Sequence, residues 1–175
     1  MNLRNANSAD FAHILKLNES FVHFLSPLSM ARLEMLHEQA VYHRVIEESG
    51  QVVAFLIAFR EGASYDSLNY RWFADRYPSF VYIDRLVIDG RFHHRGLGTQ
   101  LYADLFSFAA ETDVHHVVAE VDASPPNPVS ANFHAKHGFA EVGSQFLNMT
   151  NKHVSMQMRF VEPNNRFTAP NGVKL

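Results

Sequence analysis

His93, His94, Arg95, Gly96, Leu97 and Gly98 bring positive charge and two glycines together in one short run. Glycine accepts backbone angles and close approaches that a Cβ would forbid, and a turn built on it can aim several free N–H groups at one anion. The chemistry open to such a turn is phosphate or pyrophosphate binding, by helix-start N–H groups and the local dipole with Arg95 alongside. A purely structural passage from strand to helix is the other reading. The run is not a P-loop, because no Lys-Ser/Thr ends it, and it is not the three-glycine dinucleotide fingerprint.

The flanking elements must hold this turn in place. Residues 80–88, FVYIDRLVI, are continuous and largely apolar, as suits a central strand covered on both faces. From Leu97 the apolar positions Leu101, Leu105 and Phe108 recur at helical spacing, opposite a mostly polar side that includes Thr99, Asp104 and Glu111. A second β-prone segment follows at 115–122, and a helix over 96–113 bridging the two strands implies a parallel pair.

Earlier in the chain, 2–5 reads as a short edge strand and 9–22 as a helix capped by Ser8. Met30, Leu33 and Leu36 suggest a second, short helix. Residues 40–48 and 51–59 form a hairpin turned by Ser49-Gly50. The segment 61–79 is long for a connection; a short helix over 69–75 is expected in it, with the rest covering a pocket mouth. Its Tyr65, Asp66, Tyr70 and Trp72 either make an acidic, aromatic pocket for a cationic amine or roof the core. Pro125, Pro126 and Pro128 stop the second β-prone segment and start a helix that closes at Gly138. Strands over 139–147 and 153–161 complete a mixed α/β fold centred on a strongly twisted sheet. The expected domain covers 1–161, and 162–175, rich in Pro, Asn and Gly, reads as a C-terminal tail.

Composition narrows the function. At 175 residues, 47% hydrophobic and 13% aromatic, the chain is expected to fold as one domain with a substantial core. Lys and Arg total 15 against 18 for Asp and Glu, a formal charge of -3, so no global basic field invites nucleic acid. There is no cysteine for disulfide or thiolate chemistry, no signal pattern and no long apolar run, which points to a cytoplasmic protein without a membrane span. The 11 histidines do not make a metal site: His93-His94 and His115-His116 are adjacent pairs, and His134 and His137 share a helix face without a third ligand.

Two stretches resemble the GNAT acyl-CoA-dependent N-acetyltransferases. VIDGRFHHRGLGTQLYADL, 87–105, looks like their pyrophosphate loop and following helix, with His93 where the family pattern has Gln or Arg, and Gly96 and Gly98 at its fourth and sixth positions. NPVSANFHAKHGF, 127–139, resembles their late helix, with Asn127, Ser130, Phe133, Gly138 and Phe139 in place and His134 where a tyrosine is frequent. The resemblance implies a sheet whose middle parallel strands splay apart, acetyl-CoA as co-substrate in the cleft, and direct transfer to the amine of a small molecule or peptide. It assigns His93, His94, Arg95, Gly96, Leu97, Gly98 and Thr99 to the phosphate loop. Leu86, Val87 and Ile88 would offer main-chain groups to the pantetheine arm, Asn127 would contact that arm or hold the local turn, Phe133 would support the cofactor, and His134 would protonate the departing sulfur.

An amine must lose a proton before it attacks, since a lysine-like amine has a pKa of about 10.4 and arrives charged. Asp84 and Glu120, on strands that flank the implied cleft, are the leading bases. Each has a structural reading as well: Asp84 paired with Arg85 or Arg71, Glu120 capping local polar groups. A noncatalytic acyl-CoA-binding regulator on the same fold is the alternative function, and homodimerisation is compatible with either.

Overall fold

The apolar runs of the sequence collect into one seven-stranded sheet. The computed structural model describes residues 1–22 and 25–163. Its strands are β1 (Asn2–Asn5), β2 (Tyr42–Glu48), β3 (Gln51–Arg60), β4 (Val81–Ile88), β5 (His116–Ser124), β6 (Ala140–Leu147) and β7 (Lys152–Phe160), in the order β1-β2-β3-β4-β5-β7-β6. β4 and β5 run parallel, and the other neighbours are antiparallel. The helices are α1 (Phe11–Glu19), α2 (Met30–Gln39), α3 (Leu68–Ala74), α4 (Leu97–Glu111) and α5 (Pro128–Lys136). The mixed α/β fold expected from the sequence is present, and the last two strands return so that β7 lies between β5 and β6. Among the described residues, no helix is long and apolar enough to cross a membrane. The expected tail lies, from 164 onward, outside the described residues.

Two local departures have plain causes. The first helix starts on Asn7 rather than Ser8: Asn7 Oδ1 accepts the Ala9 N–H, and Asp10 Oδ2 accepts the Asn7 N–H, closing a capping box around a 3-10 turn at Ser8–Asp10. Helix α4 starts on Gly96, whose φ of 79° lies in the left-handed region.

Each face of the sheet has its own core. On one, Phe11, Ile14, Leu33, Leu36, Tyr70 and Phe73 of α1, α2 and α3 pack on Phe55, Ile57, Tyr82 and Val118. On the other, Leu97, Leu101, Tyr102 and Leu105 of α4 pack on Leu56, Ala58, Ile83, Val117 and Ala119. β3 is therefore buried from Val52 to Phe59, which is why its sequence shows no alternation.

The site is made by what happens between β4 and β5. Their pairing is confined to Val81 with Val117 and Tyr82 with Val118. Just beyond, Ile57 pairs with Arg85 and Ala58 with Ile83, so Asp84 is an extra residue with no partner on β3. Such a bulge bends and twists its strand. From Ile83 onward β4 diverges from β5 and leaves a gap.

α3 is docked against the far edge of the sheet. A Cβ on Gly143 of β6 would stand 2.5 Å from Cζ2 and 2.8 Å from Cη2 of Trp72, so only glycine leaves room for the indole. Gly143→Ala is expected to lower stability by about 1–3 kcal/mol through overpacking, measured by urea unfolding. Trp72→Phe should recover part of the loss in the double variant; full additivity would show that the indole is not the obstacle.

Candidate active site

The gap has a donor-rich end. The Asp89 N–H donates to Val53 O at 2.8 Å, and along a regular antiparallel ladder the sense alternates, so Val87 also spends its main-chain groups on β3. Leu86 and Ile88 turn theirs toward the gap. Of the three strand positions expected to serve a cofactor arm, Val87 is thus corrected: its side chain is in the core and its main chain is committed. The Ile88 carbonyl accepts from His93 Nε2 at 3.0 Å, which ties the turn back to the strand. His94 is exposed with φ 61°. Arg95 is 54% exposed in its side chain, with its guanidinium 4.8 Å from the centre of the Phe92 ring and 4.0 Å from Glu48.

The first turn of α4 follows. Among the described residues, no protein acceptor takes the N–H groups of Arg95, Gly96, Leu97, Gly98 or Thr99; the Gln100 N–H is the first bonded, to Gly96 O at 2.9 Å. Four orphan donors are inherent to a helix start, and here they coincide with a cationic side chain. An added Cβ on Gly96 would meet nothing within 4 Å, so the mouth of the turn is open. A diphosphate fits this donor set. Gly98 serves packing instead. A Cβ there would lie 2.9 Å from Phe133 Cζ and 3.1 Å from Ile88 Cδ1, so its lack of a side chain lets α4, α5 and β4 meet rather than admitting a phosphate.

On the opposite face of the sheet, under α1 and α3, lies a cavity of about 430 Å³ whose walls include Tyr65, Asn69, Tyr82, Asp84, Glu120 and Asp122. Two of its three carboxylates are neutralised. Asp84 Oδ2 is 2.5 Å from Arg85 Nε, both side chains nearly fully buried, and Asp84 Oδ1 accepts the Tyr65 hydroxyl. Arg85 also donates to Asn18 Oδ1 at 2.8 Å, so the pair is anchored to α1. The bulge lets these two sequence neighbours meet. Asp122 is held by Lys152 Nζ at 2.6 Å.

Glu120 is different. Tyr82 donates to its Oε2 at 2.7 Å, and no cation pairs with it among the described residues. Burial pushes its carboxyl up to about 7, with the charge on Asp84 adding to the rise and hydrogen bonds from Tyr82 and Asn69 opposing it. A carboxyl poised there exchanges a proton at neutral pH and can act as a general base. Among the described residues, no group of three or more His, Asp or Glu side chains could hold a metal ion.

The acetyltransferase (GNAT) family model matches residues 9–139, a span that contains the bulged strand, the α4 turn and α5. The chain belongs to the GNAT family. Over 50 residues it is 44% identical to the phosphinothricin N-acetyltransferase of Streptomyces coelicolor, a stretch that spans 29% of this chain and only 28% of that enzyme. The fold is shared with Naa20 of Chaetomium thermophilum, determined in complex with a bisubstrate analogue (TM-score 0.75, 16% identity, 99% of this chain and 95% of that one). It is shared as well with Ard1 of Thermoplasma volcanium (TM-score 0.74, 18% identity, 92% of this chain and 97% of that one). At such identities the likeness is one of fold alone.

In this GNAT chain the residues singled out from sequence fall into separate places. Asn127 caps α5, its Oδ1 accepting the Ser130 N–H at 3.1 Å and its own N–H donating to Asp122 O at 3.0 Å, which fixes the end of β5 beside the gap. Phe133 packs on Gly98 and on Tyr102, with ring centres 4.9 Å apart in the latter pair. His134 is not with the carboxylates: it is buried on the α4 face, Nδ1 at 2.8 Å from Ser130 O and Nε2 at 3.0 Å from the Tyr102 hydroxyl. Burial lowers its basicity, so the ring is neutral near pH 7 and both nitrogens are engaged. That environment opposes the acid role expected of it.

Of the four residues expected at the acceptor, Tyr65 lines the main cavity. Asp66 and Tyr70 line a shallower one of about 380 Å³ beside it, Asp66 paired with Arg32 and Tyr70 donating to Arg60 O at 2.8 Å. Trp72 lies against Gly143, away from both cavities. The sequence reading missed Tyr82, Asn69 and Lys152 as pocket groups, and Asn18 as the anchor of Arg85. Tyr82, two residues before Asp84 on a strand, was the one with a signal: strand alternation sends it to the same face.

Gly96 and Gly98 can be told apart by mutation. Gly96→Ala is expected to cost about 1–2 kcal/mol from the left-handed backbone, whatever stands at position 133. Gly98→Ala should be the variant that Phe133→Leu relieves, because its methyl meets that ring. Thermal unfolding of the single and double variants checks both; equal relief of the two glycine variants would refute the distinction.

Proposed function

We propose that this protein is an N-acetyltransferase that moves an acetyl group from acetyl-CoA to a primary amine of a small molecule or peptide by direct transfer. The observation that carries the reading is Glu120, a carboxylate without a cation partner in a cavity whose other carboxylates are paired. With Glu120 ionised, the cavity has net charge -1 from Asp84, Glu120 and Asp122 against Arg85 and Lys152, which suits one ammonium group.

Acetyl-CoA, when bound, supplies the acyl group as a thioester; the free N–H groups at the start of α4, with Arg95, would hold its diphosphate, and the outward main-chain groups of Leu86 and Ile88 its arm. Glu120 takes one proton from the ammonium, which restores the lone pair that would attack the thioester carbonyl; as the carbon–sulfur bond breaks, the second proton lost by the new amide nitrogen goes to the departing thiolate. Tyr82 keeps the Glu120 carboxylate aimed, and Asp84, locked to Arg85 and Tyr65, is a positioning residue rather than the base. His134 is left out of the proton transfers and acts as a packing and hydrogen-bonding partner of Tyr102. The short match to a phosphinothricin N-acetyltransferase is in keeping with a small-molecule acceptor.

Incubation with acetyl-CoA and an amine panel, followed by thiol release and product mass, tests the activity; a failure to bind any acyl-CoA in calorimetry would overturn it. Glu120→Gln is expected to lower kcat by about 10²–10⁴-fold and to remove the limb of the kcat/KM profile that rises through pH 7. The same substitution should act on stability with the opposite sign. A carboxyl whose folded pKa is raised from 4.5 to about 7 favours folding below 4.5 and loses that contribution as pH rises through 7. The Gln variant is therefore expected to melt higher than the parent at pH 8 and equally at pH 4. A noncatalytic acyl-CoA sensor would show the stability effect and bind acyl-CoA without any turnover to lose.

A further inference from the structure

Two histidines of α5 and its C-terminal cap meet α4 in the same manner. His134 Nδ1 lies 2.8 Å from Ser130 O and His137 Nδ1 2.8 Å from Phe133 O. A carbonyl only accepts, so in both rings Nδ1 carries the proton and, in the neutral ring, Nε2 has only a lone pair. That lone pair takes the Tyr102 hydroxyl in one case and the Thr99 hydroxyl, at 3.1 Å, in the other. The two pairs differ in what lies beyond them. His134 and Tyr102 are buried, whereas Thr99 is exposed in the first turn of α4, where its own N–H and those of Leu97 and Gly98 have no protein acceptor among the described residues.

We propose that His137 and Thr99 form a proton-linked arm of the diphosphate site, Thr99 touching the ligand and His137 acting as its positioning residue. The inference rests on the reading of the α4 turn as an acyl-CoA site. With His137 neutral, the Thr99 hydroxyl hydrogen is spent on Nε2, and only oxygen lone pairs face an incoming anion. With His137 protonated, Nε2–H donates to Thr99 Oγ1, the hydroxyl hydrogen is released to a phosphate oxygen, and a positive charge stands one hydroxyl away. Proton and diphosphate therefore each favour binding of the other, by linkage.

The surroundings leave that charge to the ligand. Arg159 of β7 donates to the His137 carbonyl at 2.6 Å, Lys136 precedes it on α5, and His134 lies one helical turn back. From α4 the Tyr102 ring packs 5.3 Å away, and the Phe133 ring of α5 lies at 4.2 Å. No carboxylate pairs with the ring among the described residues.

Calorimetry with 3′-dephospho-acetyl-CoA tests the arm, because its diphosphate diester exchanges no proton near neutrality. Titrations near pH 6 in two buffers of different ionisation enthalpy should show fractional proton uptake by the parent and less by His137→Gln. His137→Gln and Thr99→Val should each weaken binding near pH 6 by about ten- to a hundredfold, as for loss of a charge-assisted hydrogen bond, and the double variant should be no weaker than the worse single one. Thr99→Ser should bind like the parent, and His137→Gln should match the parent near pH 8.5. Equal affinity and equal proton uptake in parent and His137→Gln would overturn the inference while leaving the acyl-CoA reading intact. Additive losses in the double variant would do the same, and Thr99→Val decides the matter independently should the histidine variant fold poorly. Absence of binding by the parent at every pH would remove the acyl-CoA reading, and this arm with it.

Discussion

One unpaired residue governs the architecture of the site. Asp84 has no partner on β3, and the strand that carries it leaves β5 two residues after their pairing begins. A regular strand would continue the parallel ladder, and the main-chain groups of Leu86 and Ile88 would be spent on β5. The bulge keeps them off β5, leaving the Ile88 carbonyl to the His93 ring, and opens the sheet from one face to the other. It also rotates Asp84 onto the side of Arg85, so the residue that opens the gap is at once neutralised by its own neighbour.

The sheet then divides the chemistry between its faces. The α4 side provides uncommitted N–H donors and positive charge, suited to an anion. The α1 and α3 side provides carboxylates and phenols, suited to a cation. Their contact is the gap. Within the acidic half, pairing decides reactivity: Asp84 and Asp122 have fixed counterions, while Glu120 has only hydrogen bonds from neutral groups. Removing water from a lone carboxylate raises its proton affinity, which is what turns an ordinary glutamate into a group that works at neutral pH.

Much of this was legible in the residues. The continuous apolar run of β4, the glycines before an amphipathic helix, and the capped α5 each carry a local signal, because strand burial, left-handed backbone and helix capping are set by neighbouring residues. The hairpin at Ser49-Gly50 and the helix at Leu68–Ala74 were legible for the same reason. What escaped is non-local. Strand spacing does not reveal that β7 inserts between β5 and β6, or that Trp72 is claimed by Gly143, since both depend on residues far apart in sequence. The two candidate bases looked alike in sequence, one acidic residue on each of two adjacent strands; the ion pair with Arg85, one of two partners the sequence offered for Asp84 and held in place by Asn18 of α1, separates them. His134 illustrates the limit of motif transfer: its place in the motif is kept, but its ring is turned into a helix-helix contact.

The seating of Trp72 in the notch at Gly143 has a consequence for how such a chain can diversify. Gln145, two residues on, donates to Asn69 Oδ1 at 3.0 Å, and Asn69 in turn leans on the Glu120 carboxylate. The outer hairpin, beyond the span matched by the family, thereby sets the gauge of the carboxylate-lined cavity from its rim. Drift along that edge can reshape the cavity for a longer or bulkier ligand, while Glu120, two strands inward, keeps its surroundings.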